Sequence, residues 1–212
     1  MVLNKLLFII YVIFEICAVD LVYRQCRFFK IGVTPRDQRE ILNKHNYLRY
    51  LLSNGTVPGQ PKATNLKLLR YDARLAYAAQ VAANTCRFSY VYPTDSRWEY
   101  IGQNMAKGGA SFVNSEPEWD KAIQTWFDEY KMYRYPNAAE NNTIHYLQIA
   151  SAETRYVGCG YSYFLDSRYR MPSFVKLYVC YYGAGLNIAN KPPYETVYIK
   201  SKHSYHLGNK CL

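Results

Sequence analysis

The sequence has 212 residues, 50% hydrophobic and 20% charged, which suits one compact domain with a real core. Its formal charge is +10 and 23 residues are tyrosine, so a basic, aromatic surface is expected. That charge fits sulfated glycans, anionic lipid surfaces or acidic proteins as partners, although keeping the chain soluble is the simpler reading. No repeat or low-complexity segment divides the chain.

The first 18 residues have the layout of a secretory signal peptide: a short start with Lys5, an apolar run from Leu6 to Ile16, then Cys17 and Ala18. Glu15 is unusual beside that run, and a retained anchor is the alternative. The run is short for a membrane span, and no later segment is long and apolar enough to cross a bilayer. A secreted, extracellular protein with no transmembrane segment in the mature chain is therefore expected, and nucleic acid is excluded as a natural partner.

A polar, basic lead-in (19–35) precedes a helix start at Thr34-Pro35-Arg36-Asp37, where Thr caps, Pro takes the first helical position and Asp faces the dipole. Ile41, His45, Leu48 and Leu52 form one apolar face, and Asn54-Gly55 ends the helix. His45 on that face reads as a core histidine satisfied by a hydrogen bond. After a Gly- and Pro-rich loop, Asp72 opens a second helix whose small face, Leu75, Ala76, Ala79 and Ala83, implies a close neighbour. Ser115-Glu116-Pro117-Glu118 reads as a capping box for a third helix carrying Trp119, Ile123, Trp126, Phe127 and Tyr130. Thr143 to Ala150 is a short fourth helix. Two strand-like runs, Arg155 to Phe164 and Phe174 to Tyr182, follow with a short link and are expected to pair antiparallel. Helices followed by a late hairpin predict an α+β layered domain over 36–190. The chain from 191 to 212 reads as a loose tail, with His203, His206 and Cys211 in it.

With Cys17 lost to the signal, Cys26, Cys86, Cys159, Cys180 and Cys211 remain, which in an oxidising compartment suggests two bridges and one cysteine left over. The spacing matches neither a zinc finger nor a C-x-x-C redox site. Asn54 and Asn141 head N-glycosylation sequons in polar, loop-like sequence. No His-Glu-x-x-His, Gly-x-Ser-x-Gly or phosphate-binding loop occurs, and Gly158-Cys159-Gly160 lacks the third glycine and following helix of a dinucleotide fingerprint.

Five motifs, in order, resemble the CAP superfamily of cysteine-rich secretory proteins, antigen 5 and plant pathogenesis-related proteins. They are "ILNKHNYLR" (His-Asn-x-x-Arg), "GQN" at Gly102 to Asn104, "WFDEY", "HYLQIASAETRYVGCG" and "LYVCYYGAGLN". The resemblance covers roughly Arg36 to Asn187 and is closest to arthropod antigen-5-like venom and salivary proteins. It implies a three-layer α-β-α sandwich around a small antiparallel sheet, with bridges Cys159–Cys180 and Cys26–Cys86 worth about 3 and about 4 kcal/mol in the chain-entropy model. It leaves Cys211 without a partner and open to linking two copies.

The resemblance also implies a cleft of two His and two Glu able to hold a divalent cation. Here His145 and Glu129 match, while Tyr90 stands at the other histidine position and Gln103 at the other acid. A phenol with a pKa near ~10 and a neutral amide are weak ligands, so no cofactor beyond a weakly held divalent cation is expected. The set Tyr90, Gln103, Glu129 and His145 is then a cleft lining, not a catalytic centre. The function implied is that of a secreted, non-enzymatic protein binding a lipid, a sterol or an extracellular protein or glycan. The alternative is a hydrolase using the His/Glu remnant. A channel-directed toxin fits poorly without a cysteine-dense C-terminal domain. The tyrosines and the small-residue second helix would permit an apolar groove.

Overall fold

The computed structural model describes residues 26–110, 114–137, 140, 142–168, 171–186 and 191–197. The signal segment, Asn141, His203, His206 and Cys211 lie outside the described residues. The elements are β1 (Cys26–Ile31), α1 (Pro35–Asn54), β2 (Arg70–Tyr71), α2 (Ala73–Ala83), β3 (Gly102–Ala110) and α3 (Trp119–Phe127). A 3-10 turn (Asp128–Lys131), α4 (Ile144–Ala150), β4 (Tyr156–Asp166) and β5 (Ser173–Gly183) complete the set.

The late hairpin forms as the sequence predicts, with β4 and β5 antiparallel and Cys159 directly opposite Cys180. The sheet order is β1-β4-β5-β3, with two-residue β2 added parallel to the start of β4. Helices α1, α3 and α4 cover one face, packing Ile41, Trp119, Trp126 and Tyr146 on Tyr161, Tyr178 and Tyr182. Helix α2 covers the other, with Leu75, Ala79 and Ala83 on Phe164, Val179 and Tyr181. This is the expected three-layer α+β sandwich.

The expected cap of α1 is present: Thr34 Oγ1 accepts the Asp37 N–H at 3.2 Å, and Asp37 returns an acceptor to the Thr34 N–H at 2.8 Å. Gly55 closes the helix with φ 76°, in the left-handed region glycine tolerates. The exposed Asn54 sequon sits at that end. On the buried face His45 is fully enclosed; its Nδ1 lies 2.8 Å from the Ile41 carbonyl and its Nε2 2.9 Å from the Tyr182 hydroxyl. The rest of His-Asn-x-x-Arg is also structural. Asn46 clasps both backbone groups of Leu69, and the buried Arg49 donates to the carbonyls of Lys67, Ile149 and Ser151, thereby closing the C-terminal end of α4.

The small face of α2 has its close neighbour, and it is backbone. A Cβ at Gly158 would meet Ala76 N at 2.2 Å, and one at Gly160 would meet Gln80 N at 2.4 Å. The helix lies directly on β4, which explains the glycines flanking Cys159. The same contact fills the space in which the small residues would have permitted an apolar groove.

Three further expectations change. The lead-in contributes β1, which pairs with the far half of β4, and its Cys26 is bridged to Cys86; its exposed residues, Arg27, Phe29 and Ile31, mix basic and apolar, so no alternation of polar and apolar residues marks the strand. The capping box does not form: Glu118 precedes α3 without a side-chain cap, pairing instead with the buried Lys176 at 2.8 Å. Ser115 gives its carbonyl to Tyr161, and the first turn of α3 is served by Glu40, which accepts the Asp120 N–H. Residues 191–197 are not loose, since Tyr194 is buried against Tyr135 and Pro193 accepts the Ala152 N–H at 2.7 Å.

Two outcomes follow for stability. Gly160→Ala forces α2 away from β4 and should cost at least about 2 kcal/mol by the usual scale for overpacking, read as a lowered denaturation midpoint; an unchanged midpoint would contradict the close approach. Burial, partly opposed by the Ile41 carbonyl, pulls the pKa of His45 down to about 4 from 6.5. The unfolded chain therefore takes up a proton before the fold does. His45 should add stability above pH 6.5 that is lost as pH falls towards 4, on the order of 3 kcal/mol. Denaturant titrations at pH 7.5 and 4.5 should show a smaller difference in His45→Gln.

Candidate functional site

Helix α4 begins where the chain must turn past the end of the 3-10 turn, and Glu129 on that turn sets its start. One carboxylate oxygen accepts the backbone N–H groups of His145 and Tyr146 at 2.9 and 3.2 Å. The other lies 2.6 Å from His145 Nδ1. The carboxylate opposite Nδ1 assigns that nitrogen the proton, leaving Nε2 to accept from the Tyr90 hydroxyl at 2.9 Å. The imidazole stacks on buried Trp126, whose indole N–H is spent on the Met105 carbonyl. Below it, Asn104 donates to the His145 carbonyl at 3.0 Å and to the Tyr182 hydroxyl.

Tyr90 reaches this point because its irregular segment runs along the edge of the sheet. Strand β3 is an edge, and Gln103 and Tyr181, neighbours across β3 and β5, face the α2 side. Gln103 accepts the Val91 N–H at 3.0 Å and the Tyr181 hydroxyl donates to the Val91 carbonyl. With Val91 held from both directions, Tyr90 turns to the opposite side of the sheet, where α4 lies. The structure thus joins Tyr90, His145 and Glu129 in one hydrogen-bonded line and uses Gln103 on the backbone next to it. Burial, then the neighbouring Tyr92 and Glu129, hold the Tyr90 phenol above its ordinary pKa.

Beside the line opens a cleft of about 730 Å³ lined by Tyr92, Trp98, Tyr100, Ile101, Ile144 and Leu186 among others. Its outer wall, 93–100, is pinned by Arg97, which bridges Asp95 at 2.7 Å and Asp72 at 2.6 Å and lies over the Trp98 ring. Asp72 also caps α2 through the Leu75 N–H, so one carboxylate starts the helix and anchors the wall. The sequence offered no sign of this wall: Arg97 and Trp98 stand in a stretch with no periodicity. Asn104 could have been found, because it follows Gln103 in a strand and must therefore face the other side, towards His145. Among the described residues no three His, Cys, Asp or Glu side chains are grouped to hold a metal ion, and no helix is long and apolar enough to cross a membrane.

Comparison with known proteins agrees with the motifs and the layers. A family model described as the cysteine-rich secretory protein family, CAP, matches residues 42–182. Salivary antigen-5 of Triatoma infestans is 30% identical over 179 residues, covering 77% of this chain and 73% of the relative. Venom allergen 5 of Vespula maculifrons is 35% identical over 176 residues, covering 78% and 83%. The solved structure of Schistosoma mansoni venom allergen-like protein 4 aligns with a TM-score of 0.59 at 30% identity, over 75% of this chain and 94% of that one. With its motifs, its sandwich and these antigen-5 and venom-allergen relatives, the chain belongs to the CAP family of cysteine-rich secretory proteins.

Proposed function

We propose that this chain is a secreted, non-enzymatic binding protein that takes an apolar ligand, of the fatty-acid or sterol kind, in the cleft beside His145. One observation carries the reading: both ring nitrogens of His145 are engaged, while the adjoining space combines aromatic and aliphatic walls with polar groups such as Glu99, Gln103 and Gln148 and has a size ordinary for small-molecule sites. The donor set does not suit a divalent cation as arranged. Glu129 spends its oxygens on His145 and the Tyr146 N–H, the Tyr90 hydroxyl occupies His145 Nε2, and the Gln103 carbonyl oxygen is turned to Val91. The relatives' names as salivary and venom proteins support secretion.

The hydrolase alternative has one observation in its favour, since Tyr90, His145 and Glu129 stand in the order of a nucleophile, a base and an orienting acid. Against it, the phenol is held more firmly protonated than usual, which is the wrong direction for a nucleophile.

Native mass spectrometry of protein secreted from eukaryotic cells should show a non-covalent adduct of lipid mass that Ile144→Trp removes by filling the cleft. Only apo protein, or an adduct unaffected by Ile144→Trp, would overturn the cleft assignment. Zinc tests the site separately. Binding at a hundredfold excess over Kd stabilises by about 2.7 kcal/mol, a shift of roughly 5–10 °C for a chain of this size. The unmodified protein should show almost none of it at micromolar zinc, and Tyr90→His with Gln103→Glu should gain a zinc-dependent rise. A large rise in the unmodified protein that His145→Ala abolishes would restore the metal and hydrolase readings.

A further inference from the structure

Among the described residues, two tyrosine–histidine pairs place a hydroxyl 2.9 Å from an Nε2, and they differ in everything else. In the first, Tyr182 and His45 are wholly buried, and the far side of the imidazole faces only the Ile41 carbonyl. A proton delivered to His45 would create a buried cation with no counter-charge, and its pKa is accordingly pulled down to about 4 by burial. In the second pair, Tyr90 is 46% exposed, and the far side of His145 faces the Glu129 carboxylate at 2.6 Å. A proton arriving on His145 Nε2 completes an imidazolium–carboxylate pair already in hydrogen-bonding geometry, with Glu129 fixed by two backbone N–H groups.

An exposed phenol joined to a carboxylate-backed imidazole is the arrangement that makes one-electron oxidation of tyrosine easy, because the phenol loses its proton along the hydrogen bond as it loses its electron. We propose that Tyr90 is the preferred site of one-electron oxidation and radical coupling on this protein, with a peroxide-fed haem peroxidase as the class of oxidant and a second phenol as the coupling partner. The electron passes from the Tyr90 ring to the ferryl haem, which is reduced by one equivalent, while the phenolic proton moves from Oη to His145 Nε2. The neutral phenoxyl then joins the phenoxyl of the partner through ring carbons ortho to oxygen. The partner's phenoxyl comes from a second one-electron oxidation by the same class of peroxidase; one C–C bond forms, and on rearomatisation the two ring protons pass to the two oxygens, restoring both phenols.

The neighbouring rings favour Tyr90 as the place where the radical rests. Trp126 stacks on His145 but is buried with its N–H on a carbonyl, which cannot take a proton. Tyr92 stacks parallel to Tyr90 at 6.4 Å on the solvent side. Other described tyrosines are more accessible: Tyr77, 75% exposed, shows no hydrogen bond from its hydroxyl to a base, and Tyr100, 52% exposed, is bonded to the Glu99 carboxylate, a weaker base than an imidazole. The inference does not depend on a ligand in the cleft.

The test is labelling of the intact protein with a tyramide probe, peroxidase and limiting hydrogen peroxide, followed by peptide mapping. Tyr90 should carry several-fold more label than Tyr77 or Tyr50, and His145→Phe, which keeps the ring but removes the acceptor, should return labelling to the order of exposure. If His145→Phe does not fold, Glu129→Gln serves instead, because it keeps an acceptor for the ring N–H and removes the counter-charge; the Tyr90 preference should shrink. Labelling that follows exposure in the unmodified protein overturns the proposal, as does a Tyr90 preference that persists in the folded variant.

Discussion

Two missing side chains in β4 hold the molecule together. Because Gly158 and Gly160 have no Cβ, α2 can settle onto the strand at backbone distance. Cys159, between them in sequence, then faces the other way and is tied to Cys180 on β5. One short stretch thereby fixes a helix on one face of the sheet and a covalent link on the other. The start of α2 carries Asp72, which holds Arg97 and with it the outer wall of the cleft. The register of β5 places Tyr181 under Val91 and Tyr182 between His45 and Asn104. The functional region is downstream of that packing.

Within the region, Tyr90 and Gln103 act together: Tyr90 closes onto His145, and Gln103 secures the backbone that carries Tyr90. The result is a closed hydrogen-bonded line from Tyr90 through His145 to Glu129, with the cleft open beside it.

Polar residues inside the fold follow the same economy of partners. Arg49 is buried with no carboxylate beside it in any ion pair among the described residues, and its guanidinium is met by three backbone carbonyls, two of them at the end of α4. His45 is buried neutral between a carbonyl and a hydroxyl. Lys176 is paired with Glu118, which holds that carboxyl below its usual range and takes the residue away from capping α3. Local sequence would have used Glu118 for the helix; the tertiary partner wins because a buried ammonium without a counter-charge costs more than a missing cap.

The sequence by itself determined the elements whose signals are local. The cap, face and end of α1, the start of α2 at Asp72, the short α4 and the β4–β5 hairpin are all legible from residue type and period, and the motif order identified the family. It also singled out Tyr90, Gln103, Glu129 and His145. What they do was decided only by the tertiary structure, because their hydrogen bonds cross 12 to 55 residues and depend on which face of the sheet each reaches. Strand β1, the two-residue β2, the anchoring of 191–197 and the Arg97 wall were hidden for the same reason. Each is made by partners distant in sequence, and none leaves a periodic trace in the residues themselves.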